Sequence, residues 1–299
     1  MLVPNVLLLG NGINLAYGGT SWIKMLEIIG QRDDLPDVKT LNKLNIPMPL
    51  LAILVSNDHL STVLQGKEAK HAWYGRIASN GHRDCLDRIL DLPVDEFLTT
   101  NYSYELEMAA LKNDGIDEKN LKAIKGHSDN VKDCETIYRL YTYNKLPNMR
   151  RVWHIHGEAN AAKSIVLGHY YYANNLAKME SHFRKREKQH KLEPMKKSER
   201  YNSWLDAFIL GNVYILGFGF DFSEIDLWWL LNRKKLEGHG KVYFYQPQSN
   251  GFDGKAELLK LMNVQIVDCG FLKKKWNSKE YKEFYDVAIR DIQNKITEG

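Results

Sequence analysis

Residues able to do chemistry stand at a few places in this chain. HIHGE carries two histidines, His154 and His156, separated by one residue. A histidine in a cleft is a candidate general base, because its unperturbed pKa lies near neutrality. On a strand, residues i and i+2 share a face, so metal ligation has to be weighed too. No third ligand stands at a zinc-type spacing, and the three cysteines, Cys85, Cys134 and Cys269, form no CxxC. His156, at a predicted strand end before Gly157, is the candidate base. His154, one pleat deeper, reads as a hydrogen-bonded core residue. Neither a metal nor a zinc module is expected.

Two glycine turns add a second kind of chemistry. GNGIN follows the apolar run NVLLL, and its Gly10 and Gly12 let backbone approach a phosphate at the start of a helix. A tight turn with no ligand is the alternative. The third glycine of the dinucleotide fingerprint is replaced by Leu15, and no acidic residue ends a clear second strand about 20 residues on. Asp33 and Asp34 lie near that distance in what reads as a loop, so a dehydrogenase is disfavoured. The second turn, LGFGFDFSEIDLWWLL, presents Gly217 and Gly219, then a helix start with acids in its first turn. Asp221 either caps that helix or touches a ribose. In TTNY, Asn101 either orients a water or ribose hydroxyl or caps the helix that follows.

These positions need elements to hold them. Strands are predicted at 5–9, 94–100, 150–157, 212–220, 241–247 and 264–270. Helices are predicted at 21–30, 102–112, 170–190, 201–210, 223–233 and 279–296. Such alternation implies right-handed crossovers and a doubly wound, mostly parallel, Rossmann-like α/β sheet. Ligands of such sheets sit beyond the carboxyl ends of the strands. Gly10, Gly12, Asn14, Asn101, His156, Gly217, Gly219, Asp221 and Gln246 all fall at those ends. One domain is expected over 1–299, with helical insertions or a cap at about 35–90 and 113–145 and a basic loop at about 184–200.

Composition bounds the rest. With 299 residues, 44% hydrophobic, the chain can bury a sizeable core. The apolar runs at 1–10 and 48–55 fall short of the roughly 20 residues a membrane span needs, and no leader is read. A soluble, cytoplasmic protein is expected. Net charge is +4, much of it from RKREKQHKLEPMKKSER, which lacks interleaved aromatic residues and so reads as a solvated helix end rather than a nucleic-acid surface.

Taken in order, GNGIN, TTNY, HIHGE and LGFGFDFSEIDLWW resemble the bacterial SIR2-like domain family, relatives of the sirtuins found in phage-defence systems. The resemblance implies a Rossmann-like sheet, NAD as substrate and cleavage of its nicotinamide–ribose bond to give ADP-ribose and nicotinamide. It implies that Gly10, Asn11 and Gly12 form the pyrophosphate loop, with Asn14 as a small polar contact. Asn101 and His156 become the catalytic pair. Gly217 and Gly219 hold the adenosine half, with Asp221 and Gln246 beside them. Ser103 stands where family members often have aspartate. The alternatives are a protein deacylase or ADP-ribosyltransferase and a module that senses NAD or ADP-ribose without turnover. A homo-oligomer or a complex with a partner defence protein is expected, because toxic NAD loss needs a gate. The apolar run Leu227–Leu231 also asks for cover.

Overall fold

The computed structural model describes residues 3–30, 37–44, 46–56, 72–125, 142–147, 150–188, 203–274 and 279–298. Asp33, Asp34, Cys134, and the parts of the two expected insertions and the basic loop at 57–71, 126–141 and 189–200 lie outside the described residues.

In chain order the elements are β1 (Asn5–Leu9), α1 (Gly12–Ala16), α2 (Trp22–Ile29), α3 (Val38–Asn42), α4 (Met48–Ser56) and α5 (Asn80–Asp91). Next come β2 (Glu96–Thr99), α6 (Glu105–Ala110), α7 (Glu118–Ile124), β3 (Thr142–Lys145), β4 (Arg151–His154), α8 (His169–Lys188) and α9 (Trp204–Leu210). The chain closes with β5 (Asn212–Leu216), α10 (Ile225–Glu237), β6 (Val242–Tyr245), α11 (Gly254–Leu261), β7 (Val264–Val267) and α12 (Lys279–Glu298). The strands form one seven-stranded sheet in the order β3-β4-β2-β1-β5-β6-β7. All pairings are parallel except β3 with β4.

The strands are apolar on both sides because both sides are covered. Leu7, Leu9 and Phe97 face one core with Leu26 and Ile29 of α2, Leu86 and Ile89 of α5, and Ala288 and Ile292 of α12. Val6, Leu8 and Leu98 face the other with Phe183 of α8, Leu205 and Phe208 of α9, and Leu230 of α10. α5, within the segment expected as an insertion, thus belongs to the layer that covers the sheet. Lys234 of α10 reaches into the second layer and donates to the carbonyls of Phe208, Ile209, Gly211 and His239 at 2.6–2.9 Å, closing the C-terminal end of α9.

The apolar run on α10 is consumed inside the chain. Leu227, Trp228, Leu230 and Leu231 are buried, and Trp229 packs on Phe183. The run therefore supplies no reason for a neighbouring subunit, contrary to its reading in the sequence. The described start of the basic segment continues α8, and its Arg184 and Arg186 pair with Glu180 and Asp206. No described helix is long and apolar enough to cross a membrane.

Several strands stop short of their sequence boundaries. β4 ends at His154, and the chain then turns through Gly157, whose φ of +89° only glycine adopts freely. A Cβ there would lie 2.2 Å from the Ser164 carbonyl oxygen. His156 therefore sits in a turn beyond the strand, not at its last residue.

Candidate active site

The chain order reverses at β1, which pairs with β2 on one side and β5 on the other. Doubly wound sheets bind ligands at this point. A cavity of about 470 Å³ opens there, within the ordinary size range of small-molecule sites. Its floor is the two glycine turns.

Those turns fit because the glycines at their contact carry no side chain. Gly10 donates its amide to the Leu216 carbonyl at 3.0 Å and Gly12 to that of Gly217 at 2.7 Å. A Cβ on Gly10 would approach the Gly217 oxygen to 2.4 Å, and one on Gly12 would approach the same atom and Tyr285 Oη to 2.7 Å. The first demand for glycine is thus turn-to-turn packing. Gly12, Asn11, Gly217 and Gly219 line the cavity, whereas Gly10 lies behind it.

The two ends of the cavity differ. One is formed by Trp22, Met48, Thr100, Leu167, Tyr172 and Glu224. The other, past the ends of β5 and β6, holds Asp221, Gln246, Pro247, Asp253, Lys255 and Lys273. Asp221 accepts from the amide and hydroxyl of Ser223 in its own turn and caps no helix, since Glu224 is the N-cap of α10. Lys255 Nζ donates to the Gly219 carbonyl at 2.8 Å and so braces the second glycine turn.

Behind the first end lies a buried acid–base cluster. His156 donates from Nε2 to Asp226 Oδ2 at 3.1 Å, and its Nδ1 stands 3.6 Å from Glu224 Oε2. Asn175 Nδ2 also donates to Asp226, and Tyr172 Oη donates to Glu224 at 3.0 Å. Burial opposes protonation of His156, but Asp226 and then Glu224 outweigh it and raise its pKa above the usual imidazole value. Burial pushes the Glu224 carboxyl up to about 7, with His156 and Tyr172 pulling it down and Asp226 and Asp221 adding to the rise. Among the described residues these three are the group whose ligand-type atoms converge, within 4.8 Å. Each ring nitrogen faces a different carboxylate, an arrangement suited to holding protons. A cation shared by all three would need one nitrogen aimed at both.

The sequence-expected residues are divided among three places. Asn11, Gly12, Gly217, Gly219, Asp221 and Gln246 face the cavity. Asn14 does not; its amide donates to Asn11 Oδ1 at 3.1 Å, and its Oδ1 lies 3.1 Å from His82 Nε2. Asn101 lines a separate hollow of about 10 Å³ with Asn14, Ser103, Glu105 and Glu107, and Thr100 takes its place in the cavity wall. Nor does Asn101 cap α6, which starts after Tyr104 with no side-chain cap. Its carbonyl instead accepts from His154 Nδ1 at 2.8 Å. His154 is sealed in the core with Glu107, 2.7 Å from its Nε2, as the sequence reading of a hydrogen-bonded core residue expects. Burial disfavours its charge, but Glu107 more than compensates, and its pKa rises to about 9.

Glu224 and Tyr172 were not among the sequence candidates. An acid at a helix start is ordinary, and only its failure to cap sets Glu224 apart. Tyr172 is one of three consecutive tyrosines with no local sign of which one turns inward.

The model of one protein family, described as a SIR2-like domain, matches residues 95–267, more than half of the chain. The matched span runs from β2 to β7 and includes TTNY, HIHGE and the second glycine turn. The first glycine turn precedes it. No curated protein matches the chain.

Proposed function

The chain belongs to the SIR2-like domain family, and from that premise and the cavity we propose that it hydrolyses NAD to nicotinamide and ADP-ribose. The observation that carries this reading is the asymmetry of the cavity. A buried acid–base cluster stands behind one end, Lys255 and Lys273 stand with Asp221 and Asp253 at the other, and two glycine turns meet between them.

In this reading the pyrophosphate lies over Gly12 and Gly217 at the switch point. The adenosine half extends toward Gln246 and Pro247, and the nicotinamide ribose lies beside Thr100, Tyr172 and Glu224. Lys255 and Lys273 offset the charge of the phosphates. The apolar wall of Trp22, Met48 and Leu167 excludes water from the nicotinamide. The bond breaks with oxocarbenium character, and the group leaves as neutral nicotinamide. NAD is a substrate, and no step requires redox chemistry or a metal. The family pattern implies Asn101 and His156 as the catalytic pair; here Thr100 stands in the cavity wall in place of Asn101, and His156 acts on proton transfer from behind Glu224.

The proposal extends to antiviral defence in the cytoplasm by NAD depletion, in a homo-oligomer or with a partner protein. It rests on the family pattern and on the need to restrain a toxic activity. The test is purified protein incubated with NAD and followed by chromatography. Equal amounts of nicotinamide and ADP-ribose are expected. NAD that binds and stays intact contradicts the reading in favour of a sensing module. Nicotinamide released only when acetylated peptide is added contradicts it in favour of a deacylase.

A further inference from the structure

Glu224 is the N-cap residue of α10, yet its side chain caps no backbone amide. An acidic side chain close to that position ordinarily satisfies an amide of the first helical turn or the dipole. Here it accepts from Tyr172 Oη at 3.0 Å and faces His156 at 3.6 Å. Of the three residues in the cluster it alone lines the cavity. The His156 and Asp226 side chains lie behind it, 2% and 1% exposed. A group that cannot reach the cavity does not take a proton from water held there.

Resting on the NAD-cleaving reading, we propose that Glu224 is the catalytic residue that accepts the proton of the attacking water, and that His156 and Asp226 are positioning residues acting through it. The glycosidic C–N bond breaks, and its electron pair goes to the nicotinamide ring nitrogen, discharging the pyridinium. The water oxygen bonds to the anomeric carbon. Its proton passes to the Glu224 carboxylate and from there to solvent, so NAD and water give nicotinamide, ADP-ribose and a proton. His156, held as a cation between two carboxylates, keeps Glu224 and Asp226 from repelling each other. The groups that set the readiness of Glu224 are His156, Asp226, the Tyr172 hydroxyl and Asp221, with the buried Tyr102 nearby.

The experiment measures NAD turnover against pH, and NAD affinity by calorimetry, for wild type, Glu224→Gln, Tyr172→Phe and His156→Asn. Wild-type turnover is expected to rise with pH through about 7, as Glu224 ionises. Glu224→Gln should lose about 10²–10⁴-fold in kcat and lose the rising limb, while still binding NAD. Tyr172→Phe and His156→Asn each remove a contact that favours the ionised carboxylate, so both should move the limb to higher pH. Retention by Glu224→Gln of more than about a tenth of wild-type kcat overturns the proposal. A Tyr172→Phe limb that stays in place, or an ADP-ribosyl adduct on Glu224, does the same. If Glu224→Gln does not fold, the Tyr172→Phe limb decides. Wild type that leaves NAD intact refutes the cleavage reading itself, which keeps the two failures apart.

Discussion

His154 and His156 are two residues apart, both buried, and each is paired with carboxylate. They nevertheless belong to different parts of the molecule. His154 closes β4 and joins Glu107 on α6 to the carbonyl of Asn101, and Glu107 is further held by Asn144 of β3 at 2.7 Å. Each partner is itself tied to a neighbouring element, so the network stitches the sheet to its covering layer. His156 lies past the strand, and its partner Glu224 forms part of the cavity wall. A histidine–carboxylate pair is therefore no mark of chemistry by itself. What separates the two is whether the carboxylate has a face turned to a ligand.

The widest separation is expected from making the same change at both sites. His156→Asn should move the rising limb of NAD turnover to higher pH and so lower turnover at neutral pH, and it should also cost stability, since Asp226 is left buried without its cation. His154→Asn should cost about 3–5 kcal/mol of stability, because Glu107 is left buried without its cation. Its turnover per folded molecule should stay within about tenfold of wild type, well short of the loss expected at an acid–base group. Denaturant titration and a nicotinamide-release assay on the same preparations check this, and an exchange of the two phenotypes would break the comparison.

A smaller effect is expected at the cavity floor. Gly10→Ala drives a methyl group to 2.4 Å from the Gly217 oxygen. Parting the two turns should cost about 1–3 kcal/mol and weaken NAD binding. A melt and a binding isotherm that both match wild type would remove the turn-packing argument.

The smallest expected effect is in pH. His154 has its folded-state pKa raised from 6.5 to about 9. Its stabilising contribution is therefore full below 6.5 and is lost as pH rises through about 9. The Glu224 carboxyl is raised from 4.5 to about 7, so its contribution is full below 4.5 and is lost as pH rises through about 7. Wild type should thus lose more stability than Glu224→Gln between these lower and upper values. It should lose more than His154→Asn only on the alkaline side, through about 9. Melting temperatures across pH give both signs, and parallel curves for all three proteins would contradict the assignments.

The sheet was legible because its parallel strands are short apolar runs such as NVLLL and NVYIL, buried on both faces and followed by glycine. β3 was not, since TYNK is a polar edge strand whose Asn144 is buried for the sake of Glu107. α11 was also missed, although Asp253 caps it through the amides of Lys255 and Ala256. The glycines at the cavity were visible, but their first reason, two backbones in contact across β1 and β5, needed the topology. Side-chain direction was the least legible property. Asn14 and Asn101 stand at strand ends and turn into other networks, whereas Glu224 resembles an ordinary helix-start acid and faces the cavity.

The most direct measurement is a crystal structure of Glu224→Gln with intact NAD. The account predicts the nicotinamide ribose beside residue 224 and Thr100, the pyrophosphate over Gly12 and Gly217, and the adenosine toward Gln246. NAD bound in the opposite direction, or outside this cavity, would contradict it.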